Sequence, residues 1–114
     1  MGIPTATQHG LLVLQVRAVI EHAVQAKTFI HYLPLAKSLK CFSGGKQLAQ
    51  ALGSIMEEDQ KAGRTLTCAL VVSSITGRPG KGFFQKAKDL GYQFTNDNTF
   101  WESQCKALEV DIPW

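Results

Sequence analysis

The side chains that most often carry catalysis or hold metals are few in this sequence, and none is paired at a useful spacing. The three cysteines, Cys41, Cys68 and Cys105, form no CxxC pair, and the three histidines form no HxxxH or HxH pair. Zinc sites need such closely spaced ligands, and a disulfide framework needs an even number of cysteines. We therefore expect no metal site, no cofactor and no disulfide framework, and we expect a protein that is not an enzyme.

A glycine-rich loop, TGRPGKG at residues 76–82, has a composition that suits anion binding. It is not a Walker motif, because it lacks the GK[ST] ending and its glycines are spaced differently. Backbone N–H groups at the start of a following helix can bind an anion. The glycines equally suit a turn that requires positive φ, with Phe83 and Phe84 anchoring the next helix. The sequence leaves both interpretations open.

Basic residues are concentrated in the first three quarters of the chain. Eleven basic and four acidic residues precede Asp89, whereas one basic and five acidic residues lie between Asp89 and the end, for a net charge of +3. A basic body with an acidic end is typical of nucleic-acid-binding proteins, and it also occurs in dipolar soluble proteins. The charge pattern predicts DNA as a partner.

Apolar spacing predicts the elements that position these cations. Spacings of three and four predict helices, and β-branched runs predict strands. The helices cover residues 10–27 (capped by Thr7), 33–40, 46–62, 83–90 and 98–108, and the strands cover residues 28–31 and 66–73. We predict a helix-rich α+β fold in a single domain, residues 1–114, with a flexible arm at 1–9 and a tail at 109–114. Its predicted core comprises Val16, Ile20, Leu35, Leu48, Leu52, Ile55, Leu70, Val72, Phe83 and Phe84.

The order of elements between residues 29 and 84 is that of a winged helix-turn-helix: short strand, short helix, turn, longer helix, strand, cationic loop. In such domains the second helix enters the major groove and the wing contacts phosphates. Lysine and glutamine are side chains that pair with guanine and adenine edges. The predicted nucleic-acid-binding residues are Lys37, Lys40, Lys46, Gln47, Gln50, Arg78 and Lys81.

The aromatic residues near the C-terminus suggest an alternative function. Trp101 and Trp114 can form core packing with a docked tail, or they can form an interface, where aromatic side chains are enriched. In the second case the protein is an interaction or oligomerisation module that forms homo-oligomers and binds no nucleic acid.

The N-terminus lacks the basic region of a signal peptide, and the apolar run Leu11–Val16 is too short to span a membrane. We therefore predict a cytoplasmic protein with no membrane partner. Three cysteines without pairing are consistent with a reducing compartment.

Three segments, FIHYLPLAKSL, GGKQLAQALGSIMEEDQKAGRTLTCALVVSSITGRPGKGFFQKAKDLG and NDNTFWESQ, resemble a family of small uncharacterised bacterial and phage proteins of mobile elements. Its members share a TY-x-x-LA-x-x-L entry, a G-R-x-L-x-x-ALVV strand, a TG-x-PG-x-GFF loop and a final FW. The similarity covers about residues 28–104, and the loop is its most specific part. His31 stands where the family usually has threonine. The resemblance implies a fold, since the family has no established activity.

A more distant similarity is to the winged-helix domain of alkylguanine alkyltransferases and alkyltransferase-like proteins. HYLPLAKSL, KQLAQALGS and TCALVVSSITGRPG follow the order of that domain's segments, and Cys68 stands at the place of the alkyl-accepting cysteine. The resemblance implies DNA binding. However, Thr67, Ala69 and Leu70 replace the proline, histidine and arginine of the reactive motif. Without a neighbouring base, we expect Cys68 to be a buried small residue and a poor nucleophile.

Overall fold

The computed structural model describes residues 5–39 and 46–112. Within these residues the chain forms five α-helices and one two-stranded sheet. The helices are α1 (Thr5–Ala26), α2 (Tyr32–Ser38), α3 (Lys46–Lys61), α4 (Lys81–Asp89) and α5 (Asp97–Ala107), and the strands are β1 (Ile30–His31) and β2 (Val71–Val72). The helix-rich α+β class with a small sheet is thereby confirmed.

Helix α1 begins earlier than its apolar stripe predicts. Its first residue is Thr5, which lies inside the segment 1–9 that we predicted to be an arm. Thr7 is therefore a helical residue and not the helix cap. The helix ends at Ala26 and is followed by Lys27 with a φ of 55°, the left-handed conformation that commonly terminates helices.

The two strands are parallel, with Ile30 paired to Val71 and His31 paired to Val72. Parallel neighbours require a crossover connection, which here contains α2 and α3. Because α2 follows β1 directly, the sheet fixes the start of α2 relative to the loop that leaves β2.

The segment 66–73, which we predicted to be one strand, is mostly not a strand. Residues 67–70 form a single turn of 3-10 helix, and within the segment only Val71–Val72 pairs with β1. Residues 66–72 are nevertheless all buried, as their apolar character predicts. The strand assignment was therefore wrong for residues 66–70 and for Ser73.

Side chains from other helices explain why this buried turn needs no sheet partner. Asp59 Oδ2 on α3 accepts a hydrogen bond from Thr67 N–H at 3.0 Å. Trp101 on α5 donates its Nε1–H to the Ala69 carbonyl at 2.8 Å. A buried backbone group must have a hydrogen-bond partner, and a side chain serves as well as a neighbouring strand.

The predicted core is confirmed. Val16, Ile20, Leu35, Leu48, Ile55, Leu70, Val72 and Phe83 are buried, and Leu52 and Phe84 are partly buried against them. The largest fully buried side chain in the described part of the chain is Trp101, which is 1% exposed. Helices α1, α3 and α5 therefore pack around the 3-10 turn, with a main apolar cluster and a smaller one of Ala23, Leu70 and Val110.

A buried polar contact joins α1 to α3. Arg17 on α1 points towards α3, and its Nη1 donates to Asp59 Oδ1 at 2.9 Å. Its Nη2 donates to Glu58 Oε1 at 2.9 Å. Burial lowers the pKa of Arg17, but the hydrogen bonds and charges of Glu58 and Asp59 outweigh burial and raise that pKa overall. Helix α3 packs mainly against α1, whereas α2 packs beside β1.

Candidate functional site

A cleft of about 1020 Å³ lies between α3 and α4. Its apolar lining includes Tyr32, Leu52, Met56, Cys68, Val71 and Phe83. Its polar lining includes His9, Lys46, Gln50, Ser54, Glu57, Gln85, Lys86 and Asp89. We refer to this feature as the α3–α4 cleft. It is apolar at depth and carries charged groups at its rim.

The first turns of α3 form one side of this cleft. Lys46 and Gln50 are exposed and line it, since residues four apart lie on the same face of a helix. Gln47 is also exposed, on the neighbouring face. The orientation is fixed by Leu48 and Ala51, which are fully buried on the opposite side of the helix. The polar face that the sequence predicted for α3 is therefore available to a partner.

The β2–α4 loop (residues 73–80) is closed by its own hydrogen bonds. Ser73 N–H donates to the Arg78 carbonyl at 2.9 Å, and Gly77 N–H donates to the Ser73 carbonyl at 2.7 Å. Gly77 has a φ of 71°, the conformation predicted for a turn glycine. Pro79 is buried, while Arg78 is exposed. The loop is thus an ordered projection that presents Arg78 to solvent.

The start of α4 continues this cationic segment. Lys81 is exposed and is the first residue of the helix. Gly80 and Gly82, on either side of it, both line the α3–α4 cleft. Two segments that are distant in sequence, the start of α3 at Lys46 and the start of α4 at Lys81, therefore lie on opposite sides of one cleft.

Ion pairs within the chain neutralise some of the basic side chains and leave others without a carboxylate partner in the described residues. Arg17, Lys27, Arg64 and Lys86 each contact a carboxylate at between 2.6 and 3.7 Å. The basic residues that form no ion pair within the described part of the chain are Lys37, Lys46, Lys61, Arg78, Lys81, Lys88 and Lys106, and all seven are exposed. The first four cations are neutralised within the chain, whereas the seven others have no carboxylate partner in the described part of it.

Two polar contacts in the cleft had no signal in the sequence. Lys86 Nζ donates to Glu57 Oε1 at 2.6 Å, and this hydrogen bond with its charge lowers the pKa of Glu57. His9 Nε2 lies 2.9 Å from Ser54 Oγ. The members of these pairs are separated by 29 and 45 residues, so no local pattern relates them.

The other predicted site residues lie elsewhere. Lys37 is exposed on α2 but does not line the α3–α4 cleft. Lys40 and Trp114 lie outside the described residues. Trp101, which we considered for an interface, lies in the core with its ring 6.0 Å from that of Phe29.

Cys68 lines the base of the α3–α4 cleft but is 2% exposed. Its Sγ donates to the Leu52 carbonyl at 3.4 Å. Burial, followed by the nearby charge of Asp59, raises the pKa of the Cys68 thiol far above its ordinary value. Since the thiolate is the reactive form, this environment is that of a buried structural cysteine.

The described ranges hold neither a metal-binding cluster nor a membrane-spanning helix. No three or more histidine, cysteine, aspartate or glutamate side chains of residues 5–39 and 46–112 are grouped so as to hold a metal ion. None of the helices in these ranges has the length and apolar character needed to cross a membrane.

Models of known protein families, curated proteins and solved structures contain no match to this chain.

Proposed function

We propose that this protein is a non-catalytic, winged-helix-like module that binds DNA through the start of α3 and the β2–α4 loop. One observation carries the proposal. Lys46, Arg78 and Lys81 are exposed and have no ion pair in the described part of the chain, and they belong to the two segments that flank the α3–α4 cleft. Cations left unpaired on neighbouring segments attract a polyanion.

In this proposal α3 is the reading helix. Its N-terminal residues Lys46, Gln47 and Gln50 are exposed, and their side chains are of the types that recognise guanine and adenine edges in the major groove. The acidic residues of α3, from Glu57 to Asp59, lie at its other end. A duplex approaching the start of α3 therefore meets lysine and amide groups before it meets carboxylates.

The β2–α4 loop contacts the backbone. Arg78 and Lys81 are three residues apart, and the hydrogen bonds between Ser73, Gly77 and Arg78 hold the loop in one shape. Phosphate contacts of this kind set the position of a protein on DNA without reading its sequence.

The order β1, α2, α3, β2 and cationic loop supports the winged-helix-like description. Two features distinguish the chain from a standard winged helix. The strands β1 and β2 are parallel, and the β2–α4 loop leads into a helix instead of a returning strand. The backbone hydrogen bond between Ser73 and Arg78 closes the loop, as a hairpin turn closes the end of a wing.

The test is titration of a fluorescently labelled mixed-sequence duplex, followed by anisotropy at several salt concentrations. We expect micromolar binding at low salt that weakens steeply as salt is added, because phosphate contacts release counterions. Arg78→Ala with Lys81→Ala should weaken binding to all duplexes alike and reduce the slope of log affinity against log salt by roughly two. Lys46→Ala should weaken binding and change the preference among sequences.

Lys61→Ala is the matched control, because Lys61 is also exposed on α3 but lies at its opposite end. It should leave both the affinity and the salt slope unchanged. No anisotropy change at low salt, or an equal effect of Lys46→Ala and Lys61→Ala, would show that these two segments are not a DNA-binding surface.

A further inference from the structure

Ile75 is the most exposed large apolar residue among those that the structure describes, at 89%. The other exposed large apolar side chains, Leu11, Leu14, Val19 and Leu33, all lie on helices. Ile75 lies on the β2–α4 loop, three residues before Arg78. An isoleucine exposed to this extent contributes little to the core, so its stabilising value to the fold does not account for its position.

The loop holds Ile75 in a defined place. Its N–H donates to Ser73 Oγ at 3.1 Å, which makes a local turn around Ser74. On the other side, Arg78 N–H donates to Thr76 Oγ1 at 3.2 Å. With the Ser73–Arg78 and Gly77–Ser73 backbone hydrogen bonds, the loop is fixed before any partner arrives. A preorganised loop loses less conformational entropy on binding.

The surroundings of Ile75 determine what kind of partner it suits. Its neighbours in sequence, Ser73, Ser74, Thr76 and Gly77, are small and mostly polar, so Ile75 is the one large apolar side chain of the β2–α4 loop. A stable protein interface needs about 800 Å² from each partner, with a continuous apolar centre. A single branched side chain is instead the size of the wedge that proteins insert between base pairs from the minor groove.

We infer that Ile75 is a wedge residue, which enters the minor groove and partly unstacks one base step of duplex DNA while Arg78 contacts the adjacent backbone. The inference rests on the DNA-binding function proposed above and adds a mode of recognition to it. Flexible pyrimidine–purine steps such as TA unstack most easily, so the wedge favours duplexes that contain them. The partner is therefore a deformable duplex.

The experiment uses a duplex with 2-aminopurine in place of adenine at a central TA step and a fluorescent label at one end. Anisotropy of the end label reports binding, and 2-aminopurine emission reports unstacking in the same sample. At saturating protein, we expect the natural chain to raise 2-aminopurine emission about twofold or more, since insertion removes base stacking. Ile75→Ser should lose most of that rise while still reaching saturation, with an affinity about tenfold weaker.

Two variants serve as controls. Ile75→Leu keeps an apolar wedge and should restore the rise, whereas Leu33→Ser removes another exposed apolar side chain and should leave the signal unchanged. An unaltered rise with Ile75→Ser overturns the inference, as does saturation of the natural chain with no rise. A change in sedimentation of Ile75→Ser without a change in 2-aminopurine emission assigns Ile75 to a protein contact and also overturns it. Absence of any anisotropy change would overturn the proposed DNA binding itself. Binding without a rise in 2-aminopurine emission would overturn only the wedge role of Ile75.

Discussion

Asp59 is completely buried, and its Oδ1 accepts a hydrogen bond from Nη1 of Arg17 at 2.9 Å across 42 residues of sequence. Its Oδ2 accepts from Thr67 Oγ1 at 2.6 Å and from Thr67 N–H at 3.0 Å. Arg64 Nη2 also lies 2.9 Å from Oδ1. One carboxylate therefore connects α1, α3 and the 3-10 turn, the elements that set the orientation of the α3–α4 cleft.

Replacing Asp59 should destabilise the fold strongly. Asp59→Asn removes the buried negative charge beside Arg17 and leaves that arginine with only its exposed partners, Glu58 and Glu21. We expect the free energy of unfolding to fall by about 3 kcal/mol, the lower range for breaking a buried pair. Urea denaturation followed by circular dichroism measures the change. Glu58→Gln, which removes an exposed partner of the same arginine, should cost less than about 1 kcal/mol; equal stability of Asp59→Asn and the natural chain would contradict the assigned role.

The Glu57–Lys86 pair should make stability depend on pH below neutrality. The hydrogen bond and charge of Lys86 lower the pKa of Glu57 below its ordinary value of 4.5. A carboxylate with a lowered pKa in the folded state stabilises the fold above its unfolded pKa and loses that effect as the pH falls through its folded pKa. Since Glu57 is 45% exposed, we expect a contribution below about 1 kcal/mol.

Urea denaturation at pH 7 and pH 3 tests this pair. The loss of stability on acidification should be smaller in Glu57→Gln than in the natural chain. A double-mutant cycle with Lys86→Met isolates the pair from other carboxylates. Identical pH dependence in all four proteins would show that the pair contributes nothing measurable.

Cys68 should resist alkylation in the folded protein. Burial raises its thiol pKa, so the thiolate fraction near pH 8 is far below that of a free cysteine, and labelling should be at least about a hundredfold slower. Iodoacetamide labelling read by peptide mass spectrometry checks this rate, with the urea-unfolded chain as the control. No benzyl group should transfer from benzylguanine to Cys68. Stoichiometric transfer would instead favour the alkyltransferase chemistry that the distant resemblance suggests.

Trp101 should contribute to stability through a hydrogen bond as well as through its size. Trp101→Phe leaves the buried Ala69 carbonyl without the Nε1–H donor at 2.8 Å and creates a small cavity. We expect a loss of about 2 kcal/mol in the free energy of unfolding. Denaturation followed by circular dichroism measures it, and Tyr92→Phe, at a half-buried aromatic position, should change stability by less than about 0.5 kcal/mol. A stability within that margin for Trp101→Phe would mean that the Ala69 carbonyl finds another donor.

The sequence determined the elements whose signals are local. Apolar residues at spacings of three and four predict the helices. Successive residues of a helix are rotated by about 100°, so these spacings place side chains on one face. The cap of α5 is also a local contact, because the Asn96 side chain accepts a hydrogen bond from the N–H of Thr99, three residues later. The buried faces of α1 and α3 follow from the same rule, and so does the exposure of Lys46, Gln47 and Gln50.

Tertiary structure decided the features that depend on partners distant in sequence. The segment 66–70 reads as a strand by composition, but its hydrogen bonds go to Asp59, Gln104 and Trp101, so it forms a 3-10 turn. The charge of Arg17 is typical of a surface residue, but in the folded chain the buried carboxylate of Asp59 on α3 lies beside it. Likewise, composition shows which residues are cationic, but only the folded chain shows which of them already have a carboxylate beside them. Hydrogen bonds and ion pairs depend on distances of about 3 Å, and local sequence patterns do not fix such distances between residues of different elements.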